Sequence, residues 1–174
     1  SKISTKINVI SNLINLFDSV VIGGAMANTF LKSNNINIGN SLIEEDFVKV
    51  ANTIQDEARQ NKCKIILPLD AVCSKSLIDK DHIRSCKIEN VFNDEMILDI
   101  GQNTTELICS KILNARSVLW NGPLGAFETK PFDKSSIQIA SLIKKNAKKL
   151  NIESLAGGGD TLSAINIANA KDGF

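Results

Sequence analysis

Apolar and polar positions alternate along this chain in blocks of two kinds. Ile3, Ile7, Ile10, Ile14 and Phe17 recur at helical spacing, so residues 3 to 17 are predicted as an amphipathic helix. Val20-Val21-Ile22-Gly23-Gly24 is a short apolar run closed by glycines, the pattern of a buried parallel strand. A second helix is predicted from about Met26 to Ser33, followed by a polar loop over Asn34 to Asn40. Ser41 and Glu44 form a capping box with the apolar stripe Ile43, Phe47, Val50, Ile54 and Ala58 behind it, predicting a helix to about Gln60. Lys64 to Leu69 is the next strand, with Pro68 near its end.

The weak alternation of residues 71 to 95 suggests short antiparallel strands. Ile97 to Ile100 is a strand closed by Gly101, and Asn103 is expected to cap a helix over Thr104 to Leu113. Ser117 to Trp120 is a strand ending in Asn121-Gly122-Pro123. Asp133 opens a helix to about Asn146. Ser154 to Ala156 is the last strand, and a helical pattern runs from Leu162 to Ala168.

This alternation argues for an α/β fold, a three-layer, doubly wound, mostly parallel sheet of Rossmann-like type. In such sheets ligands bind beyond the carboxyl ends of the strands. Gly23-Gly24, Asp99-x-Gly101, Asn121-Gly122-Pro123 and Gly157 to Asp160 all fall at those ends, on one predicted rim. No repeat or linker divides the 174 residues, which suit a single domain.

Composition narrows the function. A net charge of +1 without long charge runs gives no footprint for nucleic acid, and aromatic residues at 5% leave few platforms for stacking bases. The longest apolar stretches, such as Val20 to Ala27, are too short to span a bilayer, and no signal sequence opens the chain. Neither a nucleic acid nor a membrane is expected as partner. Cys63, Cys73, Cys86 and Cys109 lack C-x-x-C or zinc spacing and read as reduced, mostly buried thiols of a cytosolic protein. His82, the one histidine, sits in a polar stretch and reads as a surface loop residue. The chain begins at Ser1 without Met, so a natural start upstream is expected.

The segment Gly157-Gly158-Gly159-Asp160-Thr161 carries the strongest chemical signal. Strand, glycine turn, helix is a layout that aims free backbone N–H groups at an anion. Asp160 is placed either to cap that helix or to hold a cation that neutralises a phosphate. Lys2 and Lys6, four apart at the first helix start, read alone as solvated lysines, or else as the cations over which a polyphosphate lies. Asn121 and Glu128 offer polar contacts to a sugar or phosphate. Leu98 and Ala126 suit either the core or an apolar slot for a base. Neither G-x-G-x-x-G nor G-x-x-x-x-G-K-[ST] is present, and no Ser-His or Cys-His arrangement exists. The set reads as a nucleotide pocket suited to phosphoryl transfer, which needs charge stabilisation and alignment more than covalent help.

The segments Ser1 to Ile7, Ile22 to Phe30, Leu67 to Asp70, Leu98 to Gly101, Trp120 to Glu128 and Ala156 to Thr161 resemble, in order, the carboxyl-terminal half of the phosphoglycerate kinase family. W-N-G-P together with G-G-G-D-[ST] is highly specific. The resemblance implies a cytoplasmic glycolytic enzyme that moves a phosphoryl group reversibly between 1,3-bisphosphoglycerate and ADP, with Mg2+ accompanying ADP or ATP. It implies that Lys2 stabilises the phosphoryl group in transit, that Lys6 and Asn121 hold phosphates, and that Glu128 binds the ribose. It places Gly23, Gly24, Leu98, Pro123 and Ala126 around the adenine, Gly157 to Thr161 on phosphate, and Asp160 on magnesium. Ala25 and Ile97 depart mildly from the family pattern: many members carry a third glycine at the first position and some carry glycine at the second.

On the same resemblance, residues 1–174 are expected to be part of a nucleotide-binding domain lacking its last edge strand. The amino-terminal domain that binds phosphoglycerate is expected to be absent, the chain to be inactive by itself, and the intact protein to be a monomer. The alternative is a non-catalytic fragment that binds a nucleotide or a partner.

Overall fold

The structure is a computed structural model that describes residues 3–174. The chain runs α1 (Ile3–Leu16), β1 (Ser19–Val21), α2 (Gly24–Ser33), α3 (Val48–Gln60), β2 (Lys64–Ile66), β3 (Asp70–Ser74), β4 (Arg84–Lys87), β5 (Met96–Ile100), α4 (Gln102–Leu113), β6 (Ser117–Trp120), α5 (Lys134–Leu150), β7 (Glu153–Ala156) and α6 (Gly159–Ile167). Short 3-10 turns occupy Glu45–Phe47, Ile88–Asn90 and Lys171–Gly173.

Two parallel pairs, β1 with β2 and β6 with β7, carry the doubly wound α/β expectation. The remaining strands form an antiparallel sheet in the order β4-β3-β5. The antiparallel reading of residues 71 to 95 therefore holds for β3 and β4. It also takes in Ile97 to Ile100, which the sequence pattern had assigned to the parallel sheet. Periodicity reports which face of a strand is buried, not which neighbour it pairs with, so this partner was not readable locally. β7 pairs with β6 alone among the described residues.

Three apolar clusters organise the packing. One joins α4, α5, α6 and β6 around Ile108, Trp120, Ile139, Ile143 and Ile165. A second packs α1, α2 and α3 through Ile10, Ile14, Phe30 and Ile54. The third lies under the antiparallel sheet and includes Leu31, Ala71, Cys73 and Val91. Val21 packs against the first cluster while Val20 packs against the second. Alternate side chains of β1 thus tie the two helical layers together.

Several helix starts differ from the sequence reading. The capping box at Ser41 and Glu44 does not form. Ser41 is buried, bonds to the Ile38 carbonyl, and accepts the Ile97 N–H at 2.8 Å. Helix α3 starts only at Val48, after the 3-10 turn. Ser41 thus links its loop to β5 instead of capping a helix. Nor does Asn103 cap α4, which begins at Gln102 with Gly101 before it and the Asp70 carboxylate over its end. Helix α6 begins at Gly159, three residues earlier than its apolar pattern suggested, so part of the glycine segment is its first turn.

His82 lies in an exposed loop paired with Asp79 at 2.8 Å, as expected. Cys63, Cys73 and Cys109 are buried, Cys86 is half-buried, and all four are free thiols. No helix of the described residues is long and apolar enough to cross a membrane.

Candidate functional site

The last strand hands its chain directly to a helix start. β7 ends at Ala156, and the Gly157 N–H donates to the Trp120 carbonyl at 2.9 Å, extending the β6–β7 pairing by one residue. Gly158 has φ +91°, a conformation that side chains with a Cβ rarely adopt, and it turns the chain into α6. Gly159 and Asp160 follow in the first turn. The initial N–H groups of a helix have no intrahelical acceptor and carry its partial positive charge. Nothing lies within 4 Å of the positions where a Cβ on Gly157 or Gly159 would project. The open side of this turn therefore has room for an anion to approach the backbone.

Loop 121–128 braces that turn. Thr161 is buried, and its Oγ1 accepts the Gly122 N–H at 2.7 Å. Trp120 Nε1 donates to the Gly122 carbonyl at 2.6 Å. A Cβ on Gly158 would stand 3.0 Å from Asn121 Oδ1, so the glycine also permits the loop's approach. Lys6 comes from α1, 115 positions away in sequence, and donates from Nζ to Asn121 Oδ1 at 3.0 Å and to the Asn121 carbonyl at 3.3 Å. Lys6, Asn121 and Gly158 are thus contiguous. Lys6 meets two neutral oxygens and no carboxylate among the described residues, so none of these residues compensates its charge.

The other end of the same loop meets the start of α2 and β5. The Gly24 N–H donates to the Leu124 carbonyl at 3.0 Å, and Gly24 has φ +61°. A Cβ on Gly23 would lie 2.5 Å from Leu124 Cδ2. The Ala126 N–H donates to the Leu98 carbonyl at 2.7 Å. Gly23, Gly24, Pro123, Leu98 and Ala126 are therefore held around one loop, with Leu98 buried and the others half-buried. Glu128 and Asp160 are exposed and have no partner among the described residues. Lys2, the one proposed catalytic residue, lies outside the described residues.

Asp99 corrects the single-rim picture. It is 2% exposed, beneath loop 121–128 rather than on a rim. Its carboxylate accepts the Ile100 N–H at 2.9 Å and the Ser135 N–H at 3.2 Å and bonds to the Ser135 hydroxyl. A Cβ on Gly125 would meet Asp99 Oδ1 at 2.3 Å, so the glycine lets the loop lie directly on the carboxyl group. Burial raises its pKa from 3.8 to about 7, against the lowering effect of these hydrogen bonds. Gly101 similarly lies against Asp70. Asp99, bonded to Ser135, supports loop 121–128, and Asp70 holds the start of α4; sequence reasoning missed both roles. The D-x-G spacing was visible; the burial was not.

No group of three or more His, Cys, Asp or Glu side chains able to hold a metal occurs among the described residues. Asp160 is a single exposed carboxylate in the first turn of α6. That donor set fits Mg2+ bound mainly through a ligand's phosphates, since this ion commonly takes one or two carboxylates with phosphate oxygens and water.

A profile of the family described as phosphoglycerate kinase matches residues 1–174. The phosphoglycerate kinase of Brucella abortus is 42% identical over 174 residues, covering all of this chain and 44% of the relative. That of Novosphingobium aromaticivorans is 39% identical over 175 residues, with the same coverage. The chain thus spans less than half the length of the curated relatives it matches. The structure of phosphoglycerate kinase from Coxiella burnetii superposes with a TM-score of 0.94 at 32% identity, covering 99% of this chain and 44% of that one. The Pyrococcus horikoshii phosphoglycerate kinase shares the fold, at a TM-score of 0.72 and 22% identity over 98% of this chain and 51% of that one. Matched along its whole length by the family profile, and superposable on a solved member, this chain belongs to the phosphoglycerate kinase family.

Proposed function

We propose that this chain forms the nucleotide side of a phosphoglycerate kinase and binds Mg-ADP or Mg-ATP. The whole protein would transfer a phosphoryl group reversibly between 1,3-bisphosphoglycerate and ADP, giving 3-phosphoglycerate and ATP, as a cytoplasmic step of glycolysis. The observation that carries this reading is the contact of Lys6 with Asn121 beside the open amino end of α6. It sets a helix start beside a cation that meets no carboxylate among the described residues, a suitable cradle for a nucleotide's phosphates.

Each residue then has a role. Lys6 turns from Asn121 to a phosphate, and the released amide contacts the same group. The N–H groups of Gly159, Asp160 and Thr161 donate to phosphate oxygens, while the Thr161 hydroxyl keeps loop 121–128 in place. Asp160 holds magnesium, which when bound withdraws charge from the phosphates. Gly23, Gly24, Leu98, Pro123 and Ala126 border the adenine, and Glu128 takes the ribose hydroxyls. Lys2 stabilises the phosphoryl group in transit.

Residues 1–174 are read as part of the nucleotide-binding domain, with phosphoglycerate held by a separate amino-terminal domain of a monomeric protein. Alone, the chain should not turn over, because it presents one substrate site of two. Calorimetry with Mg-ADP tests the binding reading. Saturable binding that weakens in Lys6→Ala supports it, and no heat at millimolar nucleotide refutes it. A coupled assay of the same chain tests the expected inactivity, and turnover near that of an intact family member would refute it. The second reading is a non-catalytic fragment that binds a nucleotide or a partner, which the coverage of less than half of each curated relative favours for the isolated chain.

A further inference from the structure

Away from this site, the antiparallel sheet brings two cysteines together. β3 and β4 pair with Ala71 opposite Cys86 and Cys73 opposite Arg84. Residues two apart on a strand share a face, so Cys73 and Cys86 are diagonal neighbours on one side of the sheet. Their Sγ atoms are 4.0 Å apart. Cys73 is completely buried in the cluster under the sheet, while Cys86 is half-buried at its edge. Cys63 and Cys109 belong to the other two clusters. The pair therefore has an accessible member and a sheltered one.

We propose that Cys73 and Cys86 form a cross-strand dithiol that closes to a disulfide on reaction with a two-electron oxidant of the hydroperoxide class. Cys86 reacts first, because it is the half-buried member of the pair while Cys73 is completely buried. Its thiolate attacks an oxygen of hydrogen peroxide, the O–O bond breaks, and the departing hydroxide is protonated to water, leaving a sulfenic acid. Cys73 Sγ then attacks Cys86 Sγ, the S–O bond breaks, and the hydroxyl leaves as a second water with the Cys73 proton. Two thiols and one peroxide yield one disulfide and two waters.

The surroundings favour this order. Burial, followed by the neighbouring Cys86 sulfur, pushes the Cys73 thiol well above its ordinary range, so it does not compete as first attacker. Once Cys86 is a neutral sulfenic acid the second of those causes is gone, which leaves burial and the Glu95 carboxylate against the Arg84 guanidinium that favours the Cys73 thiolate. The strands can also approach. β4 is an edge strand paired only with β3 among the described residues. The sulfurs need to close from 4.0 Å to a bond of about 2 Å, a shift within reach of a free edge.

The test is peptide mapping of the full-length protein containing this chain. Reduced protein is treated with one equivalent of hydrogen peroxide, alkylated in denaturant and digested without reductant. The expected result is a cross-linked pair joining the Cys73 and Cys86 peptides, with both thiols lost to alkylation, both restored by dithiothreitol, and Cys63 and Cys109 fully alkylated. Cys86→Ser should leave Cys73 alkylatable after the same treatment. Cys73→Ala should leave Cys86 as a sulfenic acid captured by dimedone. If the buried Cys73→Ala variant does not fold, the wild-type map and Cys86→Ser decide alone. Wild-type Cys86 carried to a sulfinic acid or trapped by dimedone while Cys73 stays alkylatable overturns the proposal. So does a cross-link that joins any other pair.

Discussion

The Asp70 carboxylate caps helix α4 through Thr104, 34 positions away. Oδ1 accepts the Thr104 N–H at 2.9 Å and the Thr104 hydroxyl at 2.5 Å, and Oδ2 accepts the Asn103 N–H at 2.9 Å. In return Thr104 Oγ1 accepts the Leu69 N–H at 2.9 Å. The start of β3 and the start of α4 thus satisfy each other's orphan groups, as a capping box does within one helix.

Asp70→Ala should therefore destabilise the protein by about 1–3 kcal/mol, the cost of a lost cap with buried donors left unpaired. Gly101→Ala should be comparably harmful, because its Cβ would meet Asp70 Cγ at 2.2 Å. Urea unfolding of each variant measures the loss. A midpoint unchanged in Asp70→Ala would mean that α4 is held by packing alone.

In the candidate site, Asp160→Ala should weaken nucleotide binding in magnesium and leave binding in EDTA nearly unchanged. Lys6→Ala should weaken both, by about tenfold or more for a lost charge-assisted contact to phosphate. Titrations with ADP under the two conditions check this. Equal effects of Asp160→Ala in magnesium and in EDTA would exclude the metal role.

Gly158→Ala should reduce nucleotide binding and stability together. Its φ of +91° strains any residue with a Cβ, and the added methyl presses on Asn121 Oδ1. The strain is on the order of 1–3 kcal/mol. Thermal melts with and without Mg-ADP separate the two contributions. A melting temperature unaltered without ligand would remove the strain argument.

Asp99 makes stability depend on pH in an unusual direction. The folded chain keeps a proton on this carboxyl up to pH about 7, whereas the unfolded chain releases it near 3.8. Between those values the native state binds the extra proton, so this group lowers stability as pH rises, with a slope approaching about 1.4 kcal/mol per unit. Above the window its contribution is flat. Asp99→Asn should flatten the same window, which denaturation at pH 5, 6, 7 and 8 would reveal.

The Arg84–Glu95 pair acts in the opposite sense. Arg84 donates to Glu95 from Nε at 2.7 Å and from its terminal nitrogen at 2.8 Å, and its guanidinium lies 3.8 Å above the Phe92 ring. The hydrogen bond from Arg84, opposed by burial, holds the Glu95 carboxyl below its ordinary value. That stability is present above the unfolded pKa of about 4.5 and is lost as pH falls through the folded one. Arg84→Ala should cost about 1–3 kcal/mol at neutral pH, since Glu95 stays buried while Arg84 is partly solvated. Its effect should shrink in acid, as pH-dependent unfolding would show.

Much of the site was legible as local pattern. The glycine segment and the W-N-G-P run each announce a strand end meeting a loop. Their spacing in sequence does not reveal that Asn121 sits between Lys6 and Gly158, because that contact joins α1 to the β6 and β7 ends. Ser41 and Glu44 misled for a related reason: a serine ahead of an apolar stripe looks the same whether it bonds to its own helix or to the Ile97 N–H of a distant strand. Asp99 looked like a rim carboxylate because no local pattern encodes the loop that covers it.

By itself, the sequence determined the α/β alternation, the helix faces and the turns that require glycine, since each depends on periods of a few residues and on local sterics. Only the tertiary structure decided that β5 pairs antiparallel with β3, that Asp70 caps α4, that Lys6 meets Asn121, and that Cys73 lies beside Cys86. Those relations are set by packing between segments far apart in the chain, where burial and unpaired polar groups leave one arrangement satisfied.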